Sequence, residues 1–186
     1  TLDRSSAASD VYKRQLPDSH EDMAPMFEHH GTQALPIIED RGVTVRLILG
    51  NAYGKIAPAT MFYETFYADV TLGAGARLPL PDDHEDRGIY IVEGSISIAG
   101  QDFEAPQMMV FRPGDRITVT AGGQGARLMA LGGATFSGPR YIWWNFVASS
   151  KERIEEAKAE WRAGNWGEGR FDLPADDRDE HIPLPD

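Results

Sequence analysis

The sequence predicts an all-β fold, an antiparallel barrel or sandwich with one α-helix near its C-terminal end. Seven short segments alternate apolar and polar residues, which is the period-2 pattern of half-buried strands. Glycine (19 residues) and proline (12 residues) are frequent and indicate many turns between short elements. Only one segment has the apolar spacing of a helix, and 186 residues suffice for one ordinary domain.

The predicted strands follow one another closely from residue 43 onward. Glu93-Gly94 joins two of them and predicts a tight hairpin, because glycine supplies the positive φ that such turns require. Pro113-Gly114-Asp115 predicts a second turn. The alternating segments, each bounded by glycine, proline or acidic residues, are 43–49, 66–72, 88–92, 95–98, 108–111, 116–120 and 126–131.

The predicted helix covers residues 149–164. Ser149 is suited to cap it, with Glu152 as the capping-box partner three residues later, and Gly164 is placed to end it. Its apolar face consists of Ile154, Ala157 and Trp161. Residues 165–186 are rich in aspartate, and we expect them to form an acidic peripheral tail.

Composition excludes several classes of function. The formal net charge of -11 disfavours direct binding to nucleic acid, since phosphates would be repelled and no local basic patch compensates. The chain has no cysteine, which excludes disulfides, thiolate metal sites and cysteine nucleophiles. No apolar run approaches the length of a transmembrane helix and no secretory signal is recognisable, so we expect no membrane contact and a cytoplasmic location.

The first fifteen residues are interpreted as a non-native tail. Residues 10–15 (DVYKRQ) resemble the translated end of a transposon adapter used in sequencing libraries, and the chain starts with threonine. We therefore leave residues 1–15 out of fold reasoning and expect the native reading frame to continue upstream. The alternative is a natural polar tail.

Residues 75–94 (GARLPLPDDHEDRGIYIVEG) resemble the first sequence motif of cupins, in which a ligand cluster lies between two glycines. In metal-binding cupins this motif supplies two histidines and a glutamate to one metal ion. Aligning the glycines places Pro81 and Asp83 at the histidine positions and Arg87 at the glutamate position. Proline has no ligating side-chain atom, and arginine stays protonated and repels a cation.

The second cupin motif is degenerate in the same way. It resembles residues 108–116, and the expected histidine falls on Ile117 or Thr118. The resemblance thus implies a cupin barrel (a double-stranded β-helix, related to the jelly roll) that has lost its metal ligands. We assign no catalytic residue and no cofactor to this chain.

Two polar residues in the first motif have open interpretations. His84 lies among acidic residues, and we expect it in a solvated loop at the barrel rim; the alternative is a metal ligand. Arg87 is expected to pair with Asp83 or Glu85, which would replace the charge of the lost metal; the alternative is that it binds an anionic ligand.

The chain also resembles the pirin family. Residues 138–150 (GPRYIWWNFVASS) and the following helix segment are similar to the C-terminal end of bacterial pirin-like proteins. Residues 16–30 (LPDSHEDMAPMFEHH) are similar to the segment that opens the second pirin barrel. The resemblance covers residues 16–186 and implies that residues 16–148 are the C-terminal cupin barrel of an N-terminally truncated protein.

The resemblance implies that the parent protein has two barrels with different roles. In pirin-like proteins the N-terminal barrel holds a metal, usually iron, and some bacterial members resemble quercetin 2,3-dioxygenases. Others are cofactors of transcriptional or metabolic regulation, with iron as a redox sensor. We therefore expect this chain to be a structural half that contacts its missing N-terminal barrel and a regulatory protein partner. Iron, or another divalent metal, is expected only in that barrel.

Three questions stay open from the sequence. The parent protein is either a dioxygenase or a non-enzymatic regulator. A third alternative is a stand-alone cupin that binds a ligand without metal. The aromatic C-terminal region is either buried core or an interdomain interface, and its candidate residues are Trp143, Trp144, Phe146, Ile154, Ala157 and Trp161.

Overall fold

The computed structural model describes residues 16–24, 26–173 and 178–185. The predicted non-native tail, residues 1–15, lies outside the described residues, as do parts of the predicted acidic tail. The described residues form one α-helix, α1 (Lys151–Ala163), and eleven strands. The strands are β1 (Ile37–Asp40), β2 (Val43–Ala52), β3 (Lys55–Ile56), β4 (Thr65–Leu72), β5 (Arg77–Pro79), β6 (Asp86–Ile98), β7 (Gln101–Glu104), β8 (Gln107–Phe111), β9 (Thr118–Gly133), β10 (Tyr141–Trp143) and β11 (Phe146–Ala148).

Nine of these strands form one antiparallel sheet. Its main path runs β1-β2-β4-β9-β6-β7, while β3 pairs with β2, β5 with β9 and β8 with β6. β6 and β9 are the longest strands and share the longest ladder, so they form its centre. The prediction of an all-β fold with one C-terminal helix is confirmed.

The core lies on the inner face of this sheet because its strands alternate as predicted. Every second side chain is buried on β4, as in Phe66 and Val70, and on β2 as far as Leu47, where a bulge interrupts the alternation. β6 and β9 contribute Ile89, Ile91, Val119 and Leu128 to the same cluster. This apolar cluster supplies most of the burial that stabilises the sheet.

The predicted hairpin at Glu93-Gly94 is wrong. β6 continues through Gly94, which has a φ of 78° and lies at a register shift between β6 and β9. A side chain there would begin 2.3 Å from the carbonyl oxygen of Gly125, so glycine permits a close backbone approach instead of a turn. The hairpin lies at Ala99-Gly100, where both residues have positive φ as in a type I′ turn.

The described chain divides into two compact units. The first is Ala24–Thr135 and contains the nine-stranded sheet. The second consists of the described parts of residues 1–23 and 136–186. Residues 136–148, which the sequence analysis placed with the barrel, therefore group with helix α1, because the β10–β11 hairpin packs against that helix.

Helix α1 is capped one residue later than predicted. The hydroxyl of Ser150 accepts the Arg153 N–H at 3.3 Å, while Gly164 ends the helix with a φ of 66°. Ser149 is engaged elsewhere: its N–H and hydroxyl donate to the carboxylate of Glu21 at 2.7 and 2.6 Å. Within the described residues, no helix combines the length and apolar character required to cross a bilayer.

The carboxylate of Glu28 anchors the start of the first unit by hydrogen bonds. Glu28 accepts hydrogen bonds from the Thr60 N–H at 2.9 Å and from its hydroxyl, and His30 Nε2 lies 3.3 Å away. These donors stabilise the ionised form and lower the pKa of Glu28 to about 2. The contact therefore makes its full contribution to the stability of the folded state above the ordinary pKa of glutamate. This contribution is lost as the pH falls towards 2.

Candidate functional site

One buried side chain, Arg87, joins the two segments that resemble the cupin motifs. Arg87 is the second residue of β6, and its side chain is 2% exposed. Its Nη1 donates to the carbonyl oxygen of Pro81 at 3.1 Å, and its Nη2 donates to that of Asp115 at 2.6 Å. Arg87 thus joins the loop after β5 to the turn before β9, where Ile117 and Thr118 follow.

The predicted pairing of Arg87 with Asp83 or Glu85 is wrong. No described carboxylate lies within 4.0 Å of its guanidinium. Asp83 is exposed, and Glu85 instead accepts the Thr135 N–H at 3.2 Å. Arg87 points into the barrel while its acidic neighbours point out of it. Among the described residues, therefore, only backbone carbonyls reach the guanidinium, and its Nε has no hydrogen-bond partner there.

The prediction of a solvated His84 is also wrong. Its side chain is 2% exposed and lies against Phe66, with ring centroids 4.7 Å apart. Its Nε2 lies 2.9 Å from the carbonyl oxygen of Asn51, and its Nδ1 lies 3.3 Å from Glu64 Oε1 without hydrogen-bonding geometry. Stacking on a core ring withdraws the imidazole from water although its sequence neighbours stay exposed.

The contacts of His84 assign its tautomer. A carbonyl oxygen only accepts hydrogen bonds, so Nε2 carries a proton and donates it to Asn51. Nδ1 then faces the carboxylate of Glu64. The sequence analysis did not find Asn51, Glu64 or Phe66, because strands distant in the chain bring them together.

A tyrosine completes the polar surroundings of this site. The Tyr53 hydroxyl donates to the carbonyl oxygen of Pro79 at 3.0 Å. Burial raises the pKa of Tyr53, and the negative charge of Asp83 adds to the effect. Tyr53 therefore acts at this position as a neutral hydrogen-bond donor.

The residues at the cupin ligand positions do not fit a divalent metal. The carbonyl oxygen of Pro81, at one of these positions, is already bonded to Arg87, as is that of Asp115 in the neighbouring turn. The guanidinium itself is a cation that donates hydrogen bonds, whereas a metal requires acceptor atoms. The donor set therefore suits an anion better than a cation, and a metal-free barrel stays our prediction.

The predicted interface residues form the small core of the second unit. Phe146, Ile154 and Ala157 are buried there, and the three tryptophans are half-buried around them. The Trp144 and Trp161 rings meet edge to face with centroids 5.6 Å apart. The buried members serve as core, while contact of the tryptophans with another domain stays a prediction.

The second unit also contains a cavity of about 200 Å³. Phe146 and Phe171 lie in its wall together with three arginines. Each arginine has an acidic partner: Arg140–Asp18 at 2.6 Å, Arg153–Glu21 at 3.3 Å and Arg170–Glu160 at 3.1 Å. The positive charge of this cavity is therefore already balanced.

Comparison with known proteins agrees with this architecture. Residues 67–167 match the family model of the pirin C-terminal cupin domain. A pirin-like protein of Caulobacter vibrioides is 40% identical over 172 residues, which cover 92% of this chain and 57% of that protein. A protein of Pseudomonas aeruginosa named as a candidate quercetin 2,3-dioxygenase is 32% identical over 91% of this chain and 54% of its own length.

A solved structure shows the same fold. The crystal structure of a quercetin 2,3-dioxygenase from Acinetobacter baumannii superposes with a TM-score of 0.78 and 26% identity, over 91% of this chain and 56% of that one. The chain spans little more than half the length of these relatives. The sequence match and the shared fold lead to one conclusion: this chain belongs to the pirin family and contains its C-terminal cupin domain.

Proposed function

We propose that this chain is the metal-free C-terminal half of a pirin-like protein whose N-terminal barrel carries iron and a quercetin 2,3-dioxygenase-like activity. The observation that carries the metal-free assignment is Arg87, which occupies a ligand position as a buried hydrogen-bond donor. The names of the Pseudomonas and Acinetobacter relatives support the activity of the parent protein. Their greater length supports a second barrel.

An exposed apolar surface supports a partner role for this half. Ile89 and Ile91 of β6 point into the core, so alternate residues of β6 and its neighbour β8 point outward. Val110 is 76% exposed. We define the outer β6–β8 patch as Tyr90, Val92, Met108 and Val110. Contiguous exposed apolar side chains typically mark a protein interface, and we propose the N-terminal barrel as its occupant.

Metal analysis tests the metal-free assignment. After anaerobic incubation with ferrous iron and desalting, we expect this chain to retain no stoichiometric iron and to leave quercetin unchanged. The reason is that the residues at the cupin ligand positions do not offer a set of free lone-pair atoms that could coordinate a metal ion. Elemental analysis and the quercetin absorbance are the measurements. Iron bound at one ion per chain would contradict the assignment.

The same measurements on a protein with both barrels separate the two proposed activities of the parent. Iron with quercetin turnover supports the dioxygenase. Iron without turnover supports a non-enzymatic regulator.

A charged substitution tests the partner role of the patch. Val110→Lys should reduce self-association of this chain and its binding of a hydrophobic dye, because it places a charge in the most exposed part of the patch. Light scattering and dye fluorescence are the measurements. The control is Ile56→Lys, which charges an equally exposed apolar residue (73%) outside the patch. Equal effects of the two substitutions would show that the patch has no special role.

A further inference from the structure

The cavity of the second unit has an apolar floor. Phe146, Ile154 and Ala157 line it, and each of them is at most 9% exposed. The Phe171 ring also lines it, with its centroid 5.4 Å from that of Phe146. Two rings and two aliphatic side chains form a surface that suits an aromatic ligand.

The size of the cavity fits one ring. Its volume is about 200 Å³, and an apolar cavity of about 150 Å³ in another protein holds one benzene molecule. The remaining space takes a substituent of a few atoms. Among the described residues the cavity is half-open, so a molecule of this size enters it directly from solvent.

The charges around the cavity disfavour an anionic ligand. Five carboxylates hold its three arginines: Asp18 pairs with Arg140, Glu21 and Asp22 with Arg153, and Glu156 and Glu160 with Arg170. Three positive charges against five negative ones leave no excess of positive charge. A ligand carboxylate would meet this negative charge and would have to displace an existing partner.

Arg170 still offers a hydrogen-bond donor to a ligand. Its Nη2 lies 3.5 Å from Glu156 and its Nε lies 3.1 Å from Glu160, while its Nη1 has no hydrogen-bond partner among the described residues. The side chain is 36% exposed, so packing does not seal the guanidinium. Guanidinium N–H groups only donate, and a ligand must therefore bring an acceptor atom.

We propose that the cavity of the second unit binds a small uncharged aromatic molecule, a single ring that carries a carbonyl or amide oxygen. The ring lies against Phe146 and Phe171, and the oxygen accepts a hydrogen bond from Arg170 Nη1. All the residues that carry this site belong to the second unit, so it is independent of the metal-free assignment of the barrel.

Three probe molecules test the ligand class on the full chain, with saturation-transfer NMR titrations as the measurement. Benzamide should bind with a dissociation constant of about 1 mM. Benzoate has the same shape and a negative charge, and should bind at least about tenfold more weakly. Acetamide has the acceptor without the ring and should not bind measurably. Absent binding of benzamide, tighter binding of benzoate or equal binding of acetamide would each overturn the proposal.

A cavity-filling substitution tests the place of binding. Ala157→Leu should abolish the binding of benzamide, because the longer side chain occupies the floor of the cavity. Ala163→Leu, at an exposed position of the same helix, is the matched control and should retain the affinity. Unchanged affinity in the Ala157→Leu variant would place benzamide elsewhere and refute the site.

A second pair of variants tests the donor. Arg170→Met should weaken the binding of benzamide about tenfold, because it removes the hydrogen bond and keeps a side chain of similar length. Arg162→Met changes an exposed arginine that does not line the cavity and should have no effect. Equal affinities of the two variants would remove Arg170 from the site.

The unaltered chain provides a test that does not depend on the folding of any variant. In nitrogen–proton correlation spectra, the backbone amide signals of Ala157 and Phe171 should shift in a saturable manner with added benzamide. Those of Ile91 and Leu128, in the apolar cluster of the first unit, should stay in place. Unchanged signals at Ala157 and Phe171 would contradict binding in this cavity.

Discussion

Replacing Phe66 with alanine should lower the free energy of unfolding by about 4 kcal/mol. Phe66 is fully buried on β4, between β2 and β9, and its ring also packs against His84. Truncation leaves a cavity in the apolar cluster and removes the surface on which the imidazole lies. Denaturant unfolding followed by circular dichroism measures the loss, with a falling midpoint and an unchanged slope.

The same substitution at Phe27 is the matched control. Phe27 is 83% exposed, so its truncation should change the stability by less than about 0.5 kcal/mol. Similar losses at the two positions would mean that Phe66 does not organise the core around the candidate site.

The second large effect is expected for Gly94→Ala, which should lower the free energy of unfolding by about 3 kcal/mol. Gly94 combines a φ of 78° with a backbone approach in which the new methyl group would lie 2.3 Å from the carbonyl oxygen of Gly125. Relief of this contact requires β6 and β9 to separate, and these strands form the centre of the sheet. Thermal unfolding measures the change.

Gly123→Ala controls for the loss of a glycine from the same region. Gly123 lies on β9, and no atom lies within 4 Å of the position of its added methyl group. Its substitution should leave the Tm nearly unchanged. A Gly94→Ala variant as stable as this control would contradict the close approach of the two strands.

The strand pattern was predicted well because alternation is a local property. The segments 43–49, 66–72 and 108–111 correspond to β2, β4 and β8. Two pairs of predicted strands proved to be single long strands, β6 and β9. A glycine at a bulge has the same local signature as a glycine in a turn, and only the register of the partner strand distinguishes them.

The candidate site was predicted less well than the fold. The acidic neighbours of His84 predicted that its side chain is exposed to solvent. The imidazole instead lies against the ring of Phe66 on β4, in the core. Arg87 has carboxylates next to it in sequence, but bonds to carbonyls of two loops instead. Side-chain partners in a sheet are set by pairing between distant segments, which a single sequence does not reveal.

By itself, the sequence determined the all-β class and the helix at the C-terminal end, because these follow from the local period of the residues, and the family, because it resembles that family. Only the tertiary structure decided that His84 is buried beside Glu64 and that Arg87 has no acidic partner in the described part of the chain. The reason is physical: burial and charge balance depend on which distant backbone and side-chain atoms fold around a group.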